Sequence, residues 1–139
     1  MKRMSMPSAA AFAAIAVVGL ACLGCASQPK PIPADLSSSE LVQRAQEASD
    51  GYHYDQAISY YQAVLDRFGE DPALVCMGRY EIAFIYYKQG KYQASEELFT
   101  KLLASYDAEG GDQLPPRYKI LAGKVQPKVQ AALKAGKKE

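Results

Sequence analysis

The sequence predicts an all-α fold: two antiparallel helical hairpins in series and a C-terminal capping helix, preceded by a signal peptide and a flexible tether. Three observations carry that prediction. The stretches YDQAISYYQAVLDRFGEDP from Tyr54 and YQASEELFTKLLASYDAEG from Tyr92 align with an offset of 38 residues, within the range of helix-pair repeats. Each is preceded by a further helical stretch with its own start signal, Ser37-Ser38-Ser39-Glu40 in one case and Asp71-Pro72 in the other. Beyond the breaker AEGGDQLPP, Tyr118, Leu121, Ala122, Val125, Val129, Ala132 and Leu133 recur at helical spacing.

The chain opens with Lys2 and Arg3, followed by an Ala-rich apolar run from Ala9 to Gly24. That run is shorter than the ~20 residues a membrane-spanning helix needs, and a polar, Pro-rich stretch follows it, so residues 1–24 read as a cleaved signal peptide. At its end, Cys22-Leu23-Gly24-Cys25 is similar to the lipobox of bacterial lipoproteins, in which small residues precede a cysteine that is acylated and becomes the mature N-terminus. The resemblance implies lipidation of Cys25, since the apolar run continues through Leu23 and polarity begins after it; Cys22 is the alternative. It also implies an envelope protein anchored in a membrane through its lipid, and Ala26 after the cysteine implies the outer membrane, facing the periplasm. Residues 25–37 carry Pro29, Pro31 and Pro33 at alternate positions. Proline fixes φ and removes a donor, so an extended tether is expected, which at ~3.1 Å per residue would lift the domain roughly 35 to 40 Å from the bilayer.

The helical domain is expected over 38–136, with hairpins at about 38–71 and 73–108 and a last helix at about 115–135. Ser37 and Glu40 form a capping box, and Asp71 caps a helix whose first residue is Pro72. Gly90 ends that helix. Pro127 interrupts the last pattern and removes the bond to Gly123, which predicts a kink or break there. Lys134 to Glu139 is expected to fray.

In the second hairpin Ile82, Ala83, Tyr86, Gly90, Tyr92, Ser95, Phe99 and Leu102 resemble the signature positions of the tetratricopeptide repeat (TPR) family, with Ser95 in place of alanine. In the first, Leu41, Ala45, Tyr54, Ala57, Tyr61 and Val64 match. Arg44 and Ala48 depart from the pattern, and Gly51 sits one place early. The resemblance implies small residues where helices cross and a groove formed by the first helix of each unit.

Composition narrows the chemistry. Formal charge is +1, which recommends no nucleic acid. Asp35 to Asp112 holds fourteen acidic against six basic residues, and Pro115 onward holds seven basic against Glu139 alone. That basic end reads as a solvated helix with its lysines near the C-terminus, or as a contact for anionic lipid or an acidic partner. Catalytic, metal and cofactor sites are not expected. The sole histidine, His53, falls in an inter-helix turn; Glu96 and Glu97 are adjacent and read as solvated; Cys76 reads as a semi-buried thiol, which Cys25 could pair with if Cys22 were the lipidated residue.

A binding surface fits better. The groove positions implied by the resemblance include Val42 and Gln46 in the first unit and Met77, Tyr80, Phe84 and Tyr87 in the second, with Lys88 beside them. The helix Pro72–Lys88 is apolar almost all round, so one stripe belongs to the core and the other needs cover: the C-terminal helix, a second copy of the chain, or a helix or extended peptide of a protein partner. Val42 and Gln46 stand where a carboxylate clamp would need lysine and asparagine, which disfavours chaperone tails. The expected function is that of a membrane-anchored adaptor or scaffold for a protein or peptide partner in the cell envelope. The alternatives are an accessory lipoprotein that binds a small apolar ligand for a solute transporter, and a self-associating structural lipoprotein.

Overall fold

The computed structural model describes residues 31–136. Five helices follow one another: α1 (Ser38–Asp50), α2 (Tyr54–Arg67), α3 (Pro72–Lys88), α4 (Tyr92–Asp107) and α5 (Pro116–Gly136), with a short 3₁₀ turn (Gly111–Gln113) between the last two. The described residues contain no strand, and none of their helices is long and apolar enough to cross a membrane. The signal peptide, Cys22, Cys25 and the tip of the tail lie outside the described residues.

The starts of α1 and α3 obey local chemistry. Ser37 Oγ accepts from Glu40 N at 3.3 Å while the Glu40 carboxylate accepts from Ser37 N at 2.9 Å, closing the capping box. These bonds hold the Glu40 carboxyl below the usual carboxylate range. Asp71 Oδ1 accepts from Ala73 N at 2.8 Å and Leu74 N at 3.2 Å, and Pro72 opens α3 where its missing N–H costs nothing.

α1 pairs with α2 and α3 with α4; α2 also packs on α3, and α5 lies against α4 and α3. Four pairs of residues 38 apart line the buried centre: Ala45 and Ala83, Ala57 and Ser95, Tyr61 and Phe99, Val64 and Leu102, none more than 1% exposed. Small side chains at the first two pairs let the helices approach, and the larger ones fill the space beside them. Ser95 Oγ, the buried exception to an alanine, donates to Ala83 O at 2.8 Å and so leaves no unpaired hydroxyl.

The two hairpin turns share one geometry. His53 N donates to Ala48 O at 2.8 Å and Lys91 N donates to Tyr86 O at 2.9 Å, equivalent bonds 38 residues apart. Each turn needs one residue in the left-handed region, and in the second that residue is Gly90, at φ 72°. In the first, Gly51 comes one place early, and the position falls on Tyr52, at φ 61° and 78% exposed. A Cβ there crowds the following carbonyl.

Two features differ from expectation. α5 runs unbroken through Pro127: Pro127 and Gly123 are both exposed, so the carbonyl that loses its donor meets water, while Val125 and Val129 on the other side are buried against α4. The folded unit also takes in part of the expected tether. Leu36 is buried, Ile32 packs beside it, and the Arg67 guanidinium donates to Pro33 O at 2.7 Å and Ile32 O at 3.2 Å. Arg67 ends α2, so its charge also faces the carbonyls of that helix end.

Because glycine suffers no such crowding, Tyr52→Gly is expected to stabilise the protein by about 1 kcal/mol, the left-handed penalty less the larger unfolded-state entropy of glycine. Urea unfolding of the two proteins measures it, and an unchanged or lower midpoint contradicts the assignment of strain.

Candidate functional site

α3 is the central helix, and its residues at helical spacing divide among three neighbours. Met77 packs toward α1 and α2, beside Leu65, Val42 and Leu74. Tyr80 goes the other way: it is 7% exposed, stacks on Phe84 at 5.9 Å between ring centres, and meets Phe99 of α4 and Tyr118 of α5 at the same distance. The ladder continues from Phe84 to Tyr87 and from Tyr87 to Tyr92 of α4, at 6.0 Å each. Tyr80 is therefore a core residue rather than an open groove residue, whereas Tyr87 is half-buried like Phe84. The reason is tertiary: α5 lies on this stripe, and periodicity within α3 does not say which of its apolar sides another helix will cover.

Lys88 is likewise engaged. Its Nζ donates to Ser49 Oγ at 2.7 Å and stands over the rings of Tyr54 and Phe84, at 5.2 and 5.4 Å from their centres. It thus ties the end of α3 to the end of α1 and the start of α2, a packing role as much as a charged one. Val42 is half-buried beside the Leu36–Leu41 cluster, whereas Gln46 is exposed.

What remains accessible on the side formed by α1, α3 and α5 is Gln46, Lys88, the edge of Phe84, and one residue the groove pattern omitted, Glu81. It occupies the same α3 stripe as Met77, Phe84 and Lys88, at intervals of four, three and four. Glu81 is half-buried, and burial raises its carboxyl above the usual range; Lys88 and Arg117 oppose that shift without cancelling it. Its charge in turn helps to raise the phenols of Tyr61, Tyr80 and Tyr118, all of which are pushed up chiefly by burial. Glu81 thus sits in the common field of side chains from α2, α3 and α5. A signal was present in the sequence, since Glu81 is the single acid within the apolar helix Pro72–Lys88.

Elsewhere the sequence candidates fall apart in space. His53 is exposed at the α1–α2 turn and makes no side-chain cap bond. Glu96 is not solvated: its Oε1 accepts from Gln126 Nε2 at 3.1 Å and Gln130 Nε2 at 2.9 Å, joining α4 to α5, while Glu97 is exposed. Cys76 is 2% exposed among Tyr80, Phe99 and Tyr106, so a disulfide to Cys25 would require opening that core. Among the described residues no three His, Cys, Asp or Glu side chains converge as a metal site. A shallow cavity of about 510 Å³ lies on the other side of the molecule, between Ile32, Ile58, Gln62, Ala63 and Arg67. It is the junction where Ile32 and Pro33 dock against α2.

Among the described residues this side offers an aromatic edge, amide and carboxylate acceptors and partly buried phenols.

Burial disfavours the charged form of Glu81, so the folded state holds its proton more tightly than the unfolded chain does. Stability from this group is therefore greatest when the carboxyl is protonated and falls as pH rises through its raised folded value. Glu81→Gln, which mimics the neutral form, is expected to melt higher than wild type at about pH 8, with the difference shrinking to nothing by about pH 3. The acid-side loss from the Glu40 cap is common to both proteins and cancels. Melting curves across that range test the sign, and a variant that melts lower at neutral pH contradicts it.

No family model matches this chain, and no solved structure matches it. It is 35% identical over 118 residues to an uncharacterized protein of Treponema pallidum (strain Nichols), an alignment that takes in 84% of this chain and 46% of that protein. The chain therefore spans about half the length of this relative.

Proposed function

We propose that this protein is a lipid-anchored adaptor of the bacterial envelope, a short TPR-like domain that holds a segment of a protein partner along the side formed by α1, α3 and α5. The observation that supports it is the state of that side. It carries an aromatic edge and a carboxylate at the middle of the central helix, and α5 covers only the neighbouring stripe. The outer positions of α5 include exposed Lys119, Lys124, Lys128 and Lys134 beside exposed Ile120, a mostly polar face as suits the closing helix of a stack.

The lipid site at Cys25 supports the same reading by proximity. Residues from Ile32 onward are docked against α2, so six residues separate the anchor from the folded unit, a reach of about 20 Å at full extension. A domain held that close to a membrane meets membrane-associated partners at high local concentration, so that weak contacts suffice. Recognition rather than catalysis fits the scattered titratable groups.

Two measurements test the two halves of the proposal. A photo-crosslinking amino acid introduced at Gln46 or at Phe84 in cells is expected to give an adduct with a different protein, whereas the same residue at Gln62, on the outer side of α2, gives none. Adducts of twice the chain's mass favour self-association instead, and their absence from both groove positions defeats the adaptor reading. Mass spectrometry of the protein extracted from membranes is expected to find a mature N-terminus at an acylated Cys25. An unmodified N-terminus removes the anchor.

A further inference from the structure

We propose that the outer face of α5 lies against an anionic bilayer surface, an inference that rests on the lipid-anchor part of the reading above and gives the domain an orientation. The inner side of α5 carries Tyr118, Ala122, Val125 and Val129, packed with α3 and α4. Opposite it, Ile120, Pro127 and Ala131 are exposed at intervals of seven and four residues, so they fall on one line along the helix. Ile120 is 56% exposed, one of two large apolar side chains so placed among the described residues. Lys124 and Lys128 run beside that line one turn apart, Lys134 lies at its end, and all three are exposed. A narrow apolar ridge bordered by lysines suits a helix lying in the plane of a bilayer interface, its apolar side chains at the headgroup boundary and its cations on the phosphates.

Neighbouring acids do not cancel this charge. Asp107, Glu109 and Asp112 precede the N-terminus of α5, where Arg117 and Lys119 follow and Lys119 pairs with Asp107 at 3.4 Å. On α3, Glu81 lies in the field of Lys88 and Arg117. On α4, Glu96 is occupied by the amides of Gln126 and Gln130, and Glu97 has Lys101 one turn on. From Ile120 to Gly136 the helix contains Lys124, Lys128 and Lys134 and no acid, and none of the three forms an ion pair among the described residues. Lys134 complements the carbonyls of the helix end, but Lys124 and Lys128 lie two or more turns before it, beyond the reach of the helix dipole.

Shape selects the occupant. The outer face of a closing helix is convex and holds no groove, so a peptide segment would touch it on one side only, whereas a plane of headgroups meets the ridge along its length. α2 packs on α3 and α3 on α5, which puts α5 two helix spacings from α2, about 20 Å. The tether from Cys25 to Ile32 reaches about 20 Å, so the anchor and α5 can meet the same bilayer. The side formed by α1, α3 and α5 then stands edge-on to the membrane and stays open to a partner.

The test places an environment-sensitive fluorophore at Ala131→Cys in the full acylated chain, reconstituted into vesicles that carry a headgroup nitroxide lipid as quencher. Cys76 is buried and does not compete for the label. Quenching is expected to be about threefold greater in vesicles with about a third phosphatidylglycerol than in neutral phosphatidylcholine vesicles. It should fall to the neutral level when salt is raised to about 0.5 M, where charges are screened beyond about 4 Å. Combining Lys124→Gln, Lys128→Gln and Lys134→Gln should remove the same increment, with melting curves confirming the fold; the salt and lipid dependence of the unaltered lysines decides the matter if that variant is unstable. The same fluorophore at Gln46→Cys, on α1, should show no increment. Equal quenching in the two vesicle types, or an increment that survives the triple variant, overturns the proposal. So does acylated protein whose position 131 stays unquenched but crosslinks to an acidic protein in cells, and the anchor and adaptor readings then stand. Unacylated protein that still shows the increment when added to the same vesicles keeps the α5 face and removes the anchor.

Discussion

At Ala83 and Ser95, α3 and α4 come close enough for a serine hydroxyl to reach a main-chain carbonyl of the neighbouring helix at 2.8 Å, in a place with no exposed surface. The equivalent place in the first hairpin holds Ala45 and Ala57, both fully buried. Tight crossing of paired helices is the constraint on which the remainder depends. It requires small side chains at the crossing, and it sends the large ones, Tyr61 with Val64 and Phe99 with Leu102, into the spaces on either side. Each such ring or aliphatic chain removed from water is worth about 1.5 to 3 kcal/mol, which a crossing widened by bulk at Ala83 would forfeit.

With both hairpins closed this way, α3 becomes the helix with the most helical neighbours. It packs on α2, α4 and α5, and its residues are apolar on nearly every side for that reason. The aromatic ladder from Tyr80 through Phe84 and Tyr87 to Tyr92 runs along the seam where α4 and α5 meet it. Most polar groups at these seams are paired: Tyr106 Oη donates to Pro115 O at 2.7 Å, and Gln126 and Gln130 donate to Glu96 Oε1, while Glu96 Oε2 is buried without a partner. The turn that leads into α5 is equally tight, since Gly111 lies against the Tyr106 carbonyl where any Cβ would overlap it.

Against that background Glu81 is a half-buried carboxylate on the central helix, where Lys88 and Arg117 oppose the effect of burial but form no ion pair with it. A protein selected for stability alone would place an apolar or amide side chain there. Tyr52, held in the left-handed region at the edge of the same molecule, is a second local cost, but a shift in the position of one glycine explains it and no ligand is needed. The two costs differ in origin: strain at Tyr52 follows from register, whereas that at Glu81 follows from burial.

Much of this fold was legible in the sequence because its determinants are local or repeated. The Ser37–Glu40 box and the Asp71-Pro72 start depend on neighbours within four residues, and the 38-residue offset marks both hairpins, down to their equivalent turn bonds. The sequence by itself therefore determined the number, order and pairing of the helices and most of the residues at their crossings. Only the tertiary structure decided which side of α3 would be covered, and so removed Tyr80 from the groove, tied Lys88 to Ser49, drew Glu96 into the α4–α5 seam, docked Ile32 to Leu36 on α2 and carried α5 straight through Pro127. Each of these is a contact between residues distant in the chain, or a solvent exposure fixed by such contacts. Helical periodicity records that a side is apolar; the energy that chooses its partner lies in the complementary surface of another helix, which leaves no repeating trace of its own.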